Sequence, residues 1–371
     1  MNVPFYDPTR EYARYKAEFD AAIAQVIASG GFILGREVTE LEEAIKAYTG
    51  AKYAVGVANG SDALLIASDI LGYKDADVLT PAFTFFASTS CIVRLGGTPV
   101  FVDVEEDTYN MDMADAENRI TKNTKGILPV HLFLQTADMN ACMSLAQKYS
   151  LTVLEDAAEA FGMRTAYNGG QPHAGVIGDF GIFSFYPTKT LGGYGDGGMI
   201  VTNNEDLYLK AKSYRSHGTT TKYYHDYVGY NSRLDSLQAA IVQVKLSHID
   251  TAIQERARHA AHYREALSTV PGIKLPIVKD ANSEVNYVFS IQAENRDSLD
   301  AYLKEKGIGT SIYYPLPLHL QKCFDYMGHK KGDFPVAEKL CTVALALPMF
   351  PELSDDEVAY VCDSIAAFYK K

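Results

Sequence analysis

Lys189 lies in Phe183-Ser184-Phe185-Tyr186-Pro187-Thr188-Lys189-Thr190-Leu191-Gly192-Gly193, just past a hydrophobic run and ahead of a glycine pair. A lysine beside a packed interior is expected to lose affinity for its proton, because desolvation disfavours the charged form. A neutral amine attacks a carbonyl and forms a Schiff base. Most lysines are solvated surface charges, so the position alone says little. Asp156 follows an apolar strand pattern in Leu154-Glu155-Asp156-Ala157-Ala158-Glu159. The C-terminal ends of such strands face the crevice where open α/β sheets bind ligands. Taken alone, Asp156 reads more simply as a helix N-cap. Asn59-Gly60-Ser61-Asp62 opens a helical pattern. Its backbone N–H groups and helix dipole favour a phosphate, and an ordinary cap accounts for it equally well. Gly229-Tyr230-Asn231-Ser232-Arg233-Leu234-Asp235 is a polar loop before another helix, which a turn and cap explain in isolation.

The combination narrows the chemistry. An early phosphate cradle, a carboxylate after a strand, a later lysine and the Ser184 hydroxyl just ahead of it are the parts that hold pyridoxal 5'-phosphate. That group needs an amine for its aldehyde, an anion opposite its ring nitrogen, a phosphate nest and an apolar or aromatic face. Asp156 would supply the anion, and a protonated ring nitrogen makes the ring an electron sink.

The elements that must position these residues alternate. Tyr53 to Val57, Asp77 to Thr80, Val100 to Val102, Lys125 to Val130 and Leu151 to Leu154 read as buried strands. Helical patterns intervene, among them Ala63 to Gly72 and Met139 to Tyr149. Strands alternating with helices predict an α/β fold, a mostly parallel sheet covered on both faces. Val38 to Tyr48 reads as an amphipathic helix, with Thr39 and Glu42 placed for a capping box. From about Gly181 strands dominate, followed by the helical Leu234 to His248 and Ile249 to Ser268. Beyond them come a strand (Val288 to Gln292) and helices at Leu299 to Glu305 and Asp355 to Tyr369. A large domain over 1–250 and a smaller α+β domain over 251–371 are expected.

Composition excludes several classes. The 371 residues are 47% hydrophobic and 22% charged, an ordinary globular make-up. The net charge of −12 argues against nucleic acid, whose phosphates require clustered Lys and Arg. The N-terminus lacks a basic start followed by an apolar core, and no run approaches about 18 apolar residues, so neither a signal peptide nor a membrane span is expected. Cys91, Cys142, Cys323, Cys341 and Cys362 are scattered without a CxxC pair, which points to free thiols in a reducing cytoplasm and to no metal site. There is no Trp, so aromatic work falls on Tyr and Phe.

Ordered matches run through nearly the whole chain. They include Val3-Pro4-Phe5, Phe32-Ile33-Leu34-Gly35, Ala58 to Leu64, Pro81 to Phe85, Pro129 to Leu132, Glu155 to Ala160, Phe183 to Lys189, Gly195 to Gly198, Gly229 to Asp235, Tyr314 to Leu318 and Leu347-Pro348-Met349. In these the sequence closely resembles the DegT-type sugar-nucleotide aminotransferases, fold-type I pyridoxal-phosphate enzymes. The resemblance implies that Lys189 is the Schiff-base lysine and Asp156 the partner of the ring nitrogen. It assigns Gly60, Ser61, Ser184 and the Asp62 backbone to the phosphate. Asn231 matches a phosphate contact made across to the neighbouring subunit, which implies a homodimer with shared active sites. Phe85 stands where an aromatic ring stacks on the cofactor, and Glu159 where many relatives carry Gln beside the ring hydroxyl. His225, Arg233, Tyr313 and Tyr314 are the candidates for sugar or diphosphate; His225 alone also reads as an exposed loop histidine. His131, after a strand, reads as a packed residue.

The implied activity is transfer of an amino group from L-glutamate to a keto-sugar carried on dTDP or UDP. Val3-Pro4-Phe5 and the Gly229 to Asp235 segment look more like relatives that aminate C3 than C4. Fold alone leaves a keto-cyclitol aminotransferase open. A dehydratase branch carries His in place of the lysine, and Lys189 speaks against it. A regulator that keeps the cofactor without turnover is a further alternative, disfavoured by the absence of a basic patch.

Overall fold

The computed structural model describes residues 1–279 and 284–370. Seven strands form the main sheet: β1 (Tyr53–Val57), β2 (Asp77–Pro81), β3 (Thr98–Val102), β4 (Thr124–Ile127), β5 (Thr152–Asp156), β6 (Phe180–Ser184) and β7 (Gly198–Thr202). Their order is β1-β7-β6-β5-β4-β2-β3. Only β7 runs against its neighbours, pairing antiparallel with β1 and β6; β6-β5-β4-β2-β3 pair parallel. The mostly parallel α/β sheet expected from the alternation is present.

Both faces are apolar, as a covered parallel sheet requires. Val55, Leu154, Ile182 and Ile200 belong to one cluster; their neighbours Ala54, Phe183, Met199 and Val201 belong to another. The period-2 alternation of strands produces this split. It also sends Asp156 to the same face as Leu154, and Glu155 to the opposite one.

The hairpin β8 (Thr219–Thr221) and β9 (Tyr224–His225) projects from the chain before the helices Ser236–Ser247 and Ile249–Leu267. The C-terminal part carries an antiparallel sheet of β10 (Ile273–Lys274), β11 (Phe289–Ala293) and β12 (Ala344–Leu347), with the helices Arg296–Glu305 and Asp355–Tyr369. Its core includes Tyr263, Phe289, Leu299 and Val361, and also Val3, whose backbone bridges Ile308. Tyr287, Val288, Ala344 and Ala346 instead join the large cluster with Phe83 and Tyr109, which seats this part on the main sheet's helices and loops.

The capping box expected at Thr39 and Glu42 does not form. The helix spans Arg36–Thr49 and is capped by Gly35, so Thr39 lies inside it. Glu42 is drawn away by stronger partners, accepting from Gly56 N–H at 2.8 Å and pairing with the Arg215 guanidinium. A full capping box occurs at Ser354 and Glu357, where the Glu357 carboxylate also receives Arg10.

Candidate active site

A cavity of about 550 Å³ opens at the C-terminal ends of β5 and β6. Asp156, the last residue of β5, lines it and is 4% exposed. Asp156 Oδ2 accepts from Ser88 Oγ at 2.7 Å and Oδ1 from Ala158 N–H at 3.1 Å. Burial pushes this carboxyl above its ordinary range, and the two hydrogen bonds only partly offset the push. The side chain is thus fixed and faces the cavity, and among the described residues no cation is bonded to it.

Lys189 faces the same cavity from the turn after β6, held by its N–H to the Tyr186 carbonyl at 2.9 Å. Its Nζ donates to Glu159 Oε1 at 3.1 Å. Glu159 Oε2 accepts from Phe133 N–H at 3.1 Å, at a residue with φ of 64°. The Tyr287 ring centroid lies 4.6 Å from Nζ. The expectation of a weakened lysine proton is overturned. Burial does pull the amine down, but the Glu159 carboxylate, with Tyr287 beside it, outweighs it, so the ammonium is held above its ordinary range. Desolvation alone leaves out the carboxylate on the turn after β5.

The first turn of the helix Gly60–Ile70 forms the opposite wall at Asn59, Gly60 and Ser61. The first N–H groups of a helix have no partner within it. Asn59 caps the helix, accepting from Asp62 N–H at 2.8 Å. The Asp62 amide assigned to the phosphate is therefore already engaged, and Asp62 does not line the cavity. Ser184, at the end of β6, presses against Gly60: a Cβ there would come within 2.8 Å of the Ser184 Cβ. Gly198 is as tight, since its Cβ would meet the Asn59 backbone at 2.5 Å. Only glycine lets the helix start approach the ends of β6 and β7 this closely.

The mouth is aromatic. Phe85, 57% exposed, lies 6.5 Å from the Tyr314 ring, and Tyr186, Tyr287 and Tyr313 line the same space. Burial raises the Tyr313 and Tyr314 hydroxyls above their ordinary range, so both stay protonated donors. Asn231, His225 and Arg233 lie outside the cavity of their own chain. Arg233 donates to Asn231 Oδ1 at 2.5 Å, and His225 sits exposed on β9 with its Nδ1 2.9 Å from the His217 carbonyl. Lys189, Asp156, Gly60, Ser61, Phe85, Glu159, Ser184, Tyr313 and Tyr314 thus converge, and the other four do not.

Sequence spacing missed Ser88, Thr84, Thr188 and Tyr287, which also surround the cavity or hold its residues. Ser88 and Tyr287 come from separate segments, and nothing in their local pattern marks them. His131 is packed as expected. Its Nδ1 accepts from Ala137 N–H, so Nε2 carries the proton toward Glu155 at 3.0 Å, on the far face of β5. Glu155 also accepts from Gly175, Ile177 and Gly178 N–H groups. Burial pushes its carboxyl up, but His131 first, and then the Gly178 and Gly175 N–H groups, hold it below the ordinary range.

The residues fit pyridoxal phosphate: an amine, a buried carboxylate, a helix start and a cradle that only glycine permits all face one cavity. Residues 13–366 match the DegT/DnrJ/EryC1/StrS aminotransferase family profile. The chain is 47% identical over 373 residues to a pleiotropic regulatory protein of Geobacillus stearothermophilus, covering 100% of this chain and 99% of that one. It is 39% identical to UDP-2-acetamido-2-deoxy-3-oxo-D-glucuronate aminotransferase of Pseudomonas aeruginosa, covering 98% of this chain and 99% of that one. The crystal structure of S. venezuelae DesV in complex with a ketimine intermediate superposes with a TM-score of 0.96 at 38% identity, covering 100% of this chain and 99% of that one. The chain belongs to the DegT/DnrJ/EryC1/StrS aminotransferase family, whose members depend on pyridoxal phosphate.

Proposed function

We propose that this protein moves the amino group of L-glutamate to C3 of a keto-sugar linked to dTDP or UDP. The observation that carries the reading is the convergence of Lys189, Asp156 and the helix start at Gly60 on one cavity. The 3-oxo-sugar aminotransferase among its relatives supports the position on the sugar. When bound, pyridoxal phosphate supplies an aldehyde for the lysine and an electron sink for charge developing on the substrate carbon. Asp156 would face the ring nitrogen as its anionic partner. Gly60, Ser61 and Ser184 would hold the phosphate through backbone N–H groups and a hydroxyl. Lys189 Nζ, once released, carries the proton that leaves the donor carbon. The aromatic mouth formed by Phe85, Tyr313 and Tyr314 excludes water around the reacting carbons.

The working unit in this reading is a homodimer with shared sites. His225 lies on the β8–β9 hairpin, and Asn231 and Arg233 on the segment that returns from it; none of the three lines its own cavity, and the hairpin and the start of that segment expose Tyr223, Tyr224 and Val228, the last at 95%. Phe32, Ile33 and Leu34 expose a second apolar stretch. Large exposed apolar side chains grouped this way mark an interaction surface. We place the protein in the cytoplasm, on the support of five free cysteines, four of them buried. Among the described residues no helix is long and apolar enough to cross a membrane.

Incubation with ¹⁵N-glutamate and a panel of dTDP- and UDP-linked 3-keto sugars, with a keto-inositol in parallel, tests the acceptor. A ¹⁵N-labelled nucleotide sugar is the expected product. Label in the inositol alone would overturn the sugar assignment. A regulatory reading is favoured by the name of the 47% identical relative, and it requires that glutamate bind without amino transfer.

A further inference from the structure

Tyr287 precedes β11 and is brought to Lys189 by the C-terminal part of the chain. It is 8% exposed. Its hydroxyl lies 3.0 Å from Thr188 Oγ1, which fixes the ring next to the lysine's own segment. Its carbonyl is one of three, with those of Asn286 and Met349, that face the buried Arg256 guanidinium. The ring centroid stands 4.6 Å from Lys189 Nζ, within the range in which an aromatic face attracts a cation. Glu159 contacts the same nitrogen from the turn after β5. The amine is therefore held between two supports from different parts of the chain.

We propose that Tyr287 is a further member of the catalytic group: its ring stabilises the protonated form of Lys189 Nζ once the free amine has taken up a proton. The proposal rests on Lys189 being the cofactor lysine. During turnover Nζ gains a proton from a substrate carbon and later surrenders one. A desolvated amine would release that proton too readily without a counterweight. The carboxylate of Glu159 supplies one counterweight and the quadrupole of the Tyr287 ring a second. Because the ring comes from the C-terminal part, the charge state of Lys189 depends on how that part is seated. The other titratable groups facing this space, among the described residues, are Asp156, Tyr186, Asp196, Tyr313 and Tyr314.

The test uses the full chain stripped of cofactor, so it does not depend on turnover. Glu159→Gln serves as the background, because removing the main opposing charge brings the lysine into a measurable range. Labelling of Lys189 by an amine-directed reagent is followed against pH by peptide mass, and the midpoint is read rather than the absolute rate. A midpoint is insensitive to the easier access that a smaller side chain gives. Adding Tyr287→Leu should lower the midpoint by about one pH unit, a tenfold change in proton affinity. Adding Tyr287→Phe, which keeps the ring and its volume, should lower it by less than about half a unit. An unchanged midpoint with leucine overturns the proposal, as does a full-unit shift with phenylalanine, which would place the effect in the hydroxyl. Borohydride reduction of the loaded Glu159→Gln protein, done first, separates the two claims: a cofactor fixed on another lysine would sink the underlying site assignment.

Discussion

Asp156 and Lys189 are opposite charges held by different devices, and each device makes a prediction. Asp156 depends on Ser88 for its strongest hydrogen bond, 2.7 Å to Oδ2. Hydrogen bonds to an ionised group contribute about 1.5–3 kcal/mol. Ser88→Ala should therefore weaken cofactor retention about tenfold at neutral pH, measured by equilibrium dialysis. The sign with pH follows from the carboxyl already lying above its ordinary range. Losing Ser88 raises it further, so the deficit should be largest on the acid side and shrink as pH rises. A deficit that grows toward alkaline pH would contradict this role. At this scale the sequence showed the groups that end strands and start a helix, because topology brings those ends together. Ser88 and Tyr287 were invisible because their places depend on tertiary packing. The proton affinity of Lys189 was misjudged for the same reason, since Glu159 Oε1 acts on it through 3.1 Å of space.

Among the elements, the helix Gly60–Ile70 and strand β6 define the proposed phosphate nest by their closeness. Gly60→Ala would drive a methyl group against the Ser184 Cβ at 2.8 Å, so the helix start must shift. Overpacking of this kind costs about 1–3 kcal/mol. The expected result is a folded protein, by its thermal transition, whose cofactor affinity falls by at least about tenfold. Wild-type affinity would mean that the helix start does not hold the phosphate. Most elements could be read from periodicity alone, since β1, β2 and β5 to β7 are buried apolar runs punctuated by polar turns. Caps were harder. Thr39 and Glu42 had the right types for a box, but Arg215 and Gly56 took the carboxylate, whereas Ser354 and Glu357 formed one. A cap is a local signal that tertiary partners can overrule.

At the scale of the whole molecule, the division near residue 250 is our proposal, supported by the change from the parallel sheet to the antiparallel β10-β11-β12 sheet across two helices. The first residues nevertheless return to the C-terminal core through Val3, which no local pattern announces. The proposed dimer makes a separable prediction. Val228→Asp places a charge at a position 95% exposed in the single chain, so the monomer fold should be unaffected. Sedimentation should register dissociation at concentrations where the parent protein stays paired, with activity lost in parallel. Full activity in a variant sedimenting as a monomer would rule out shared sites. The net charge of −12 acquires a local meaning here, because anionic ligands must be met by helix N–H groups, Ser184 and the segment around Asn231 rather than by a basic surface.

The most direct measurement mixes cofactor-loaded protein with L-glutamate alone and quantifies released 2-oxoglutarate. Amino transfer by Lys189 predicts about one equivalent per bound cofactor in a single burst, and none from Lys189→Ala. A loaded protein that binds glutamate and releases no 2-oxoglutarate would contradict the enzymatic reading and leave a ligand-binding regulator in its place.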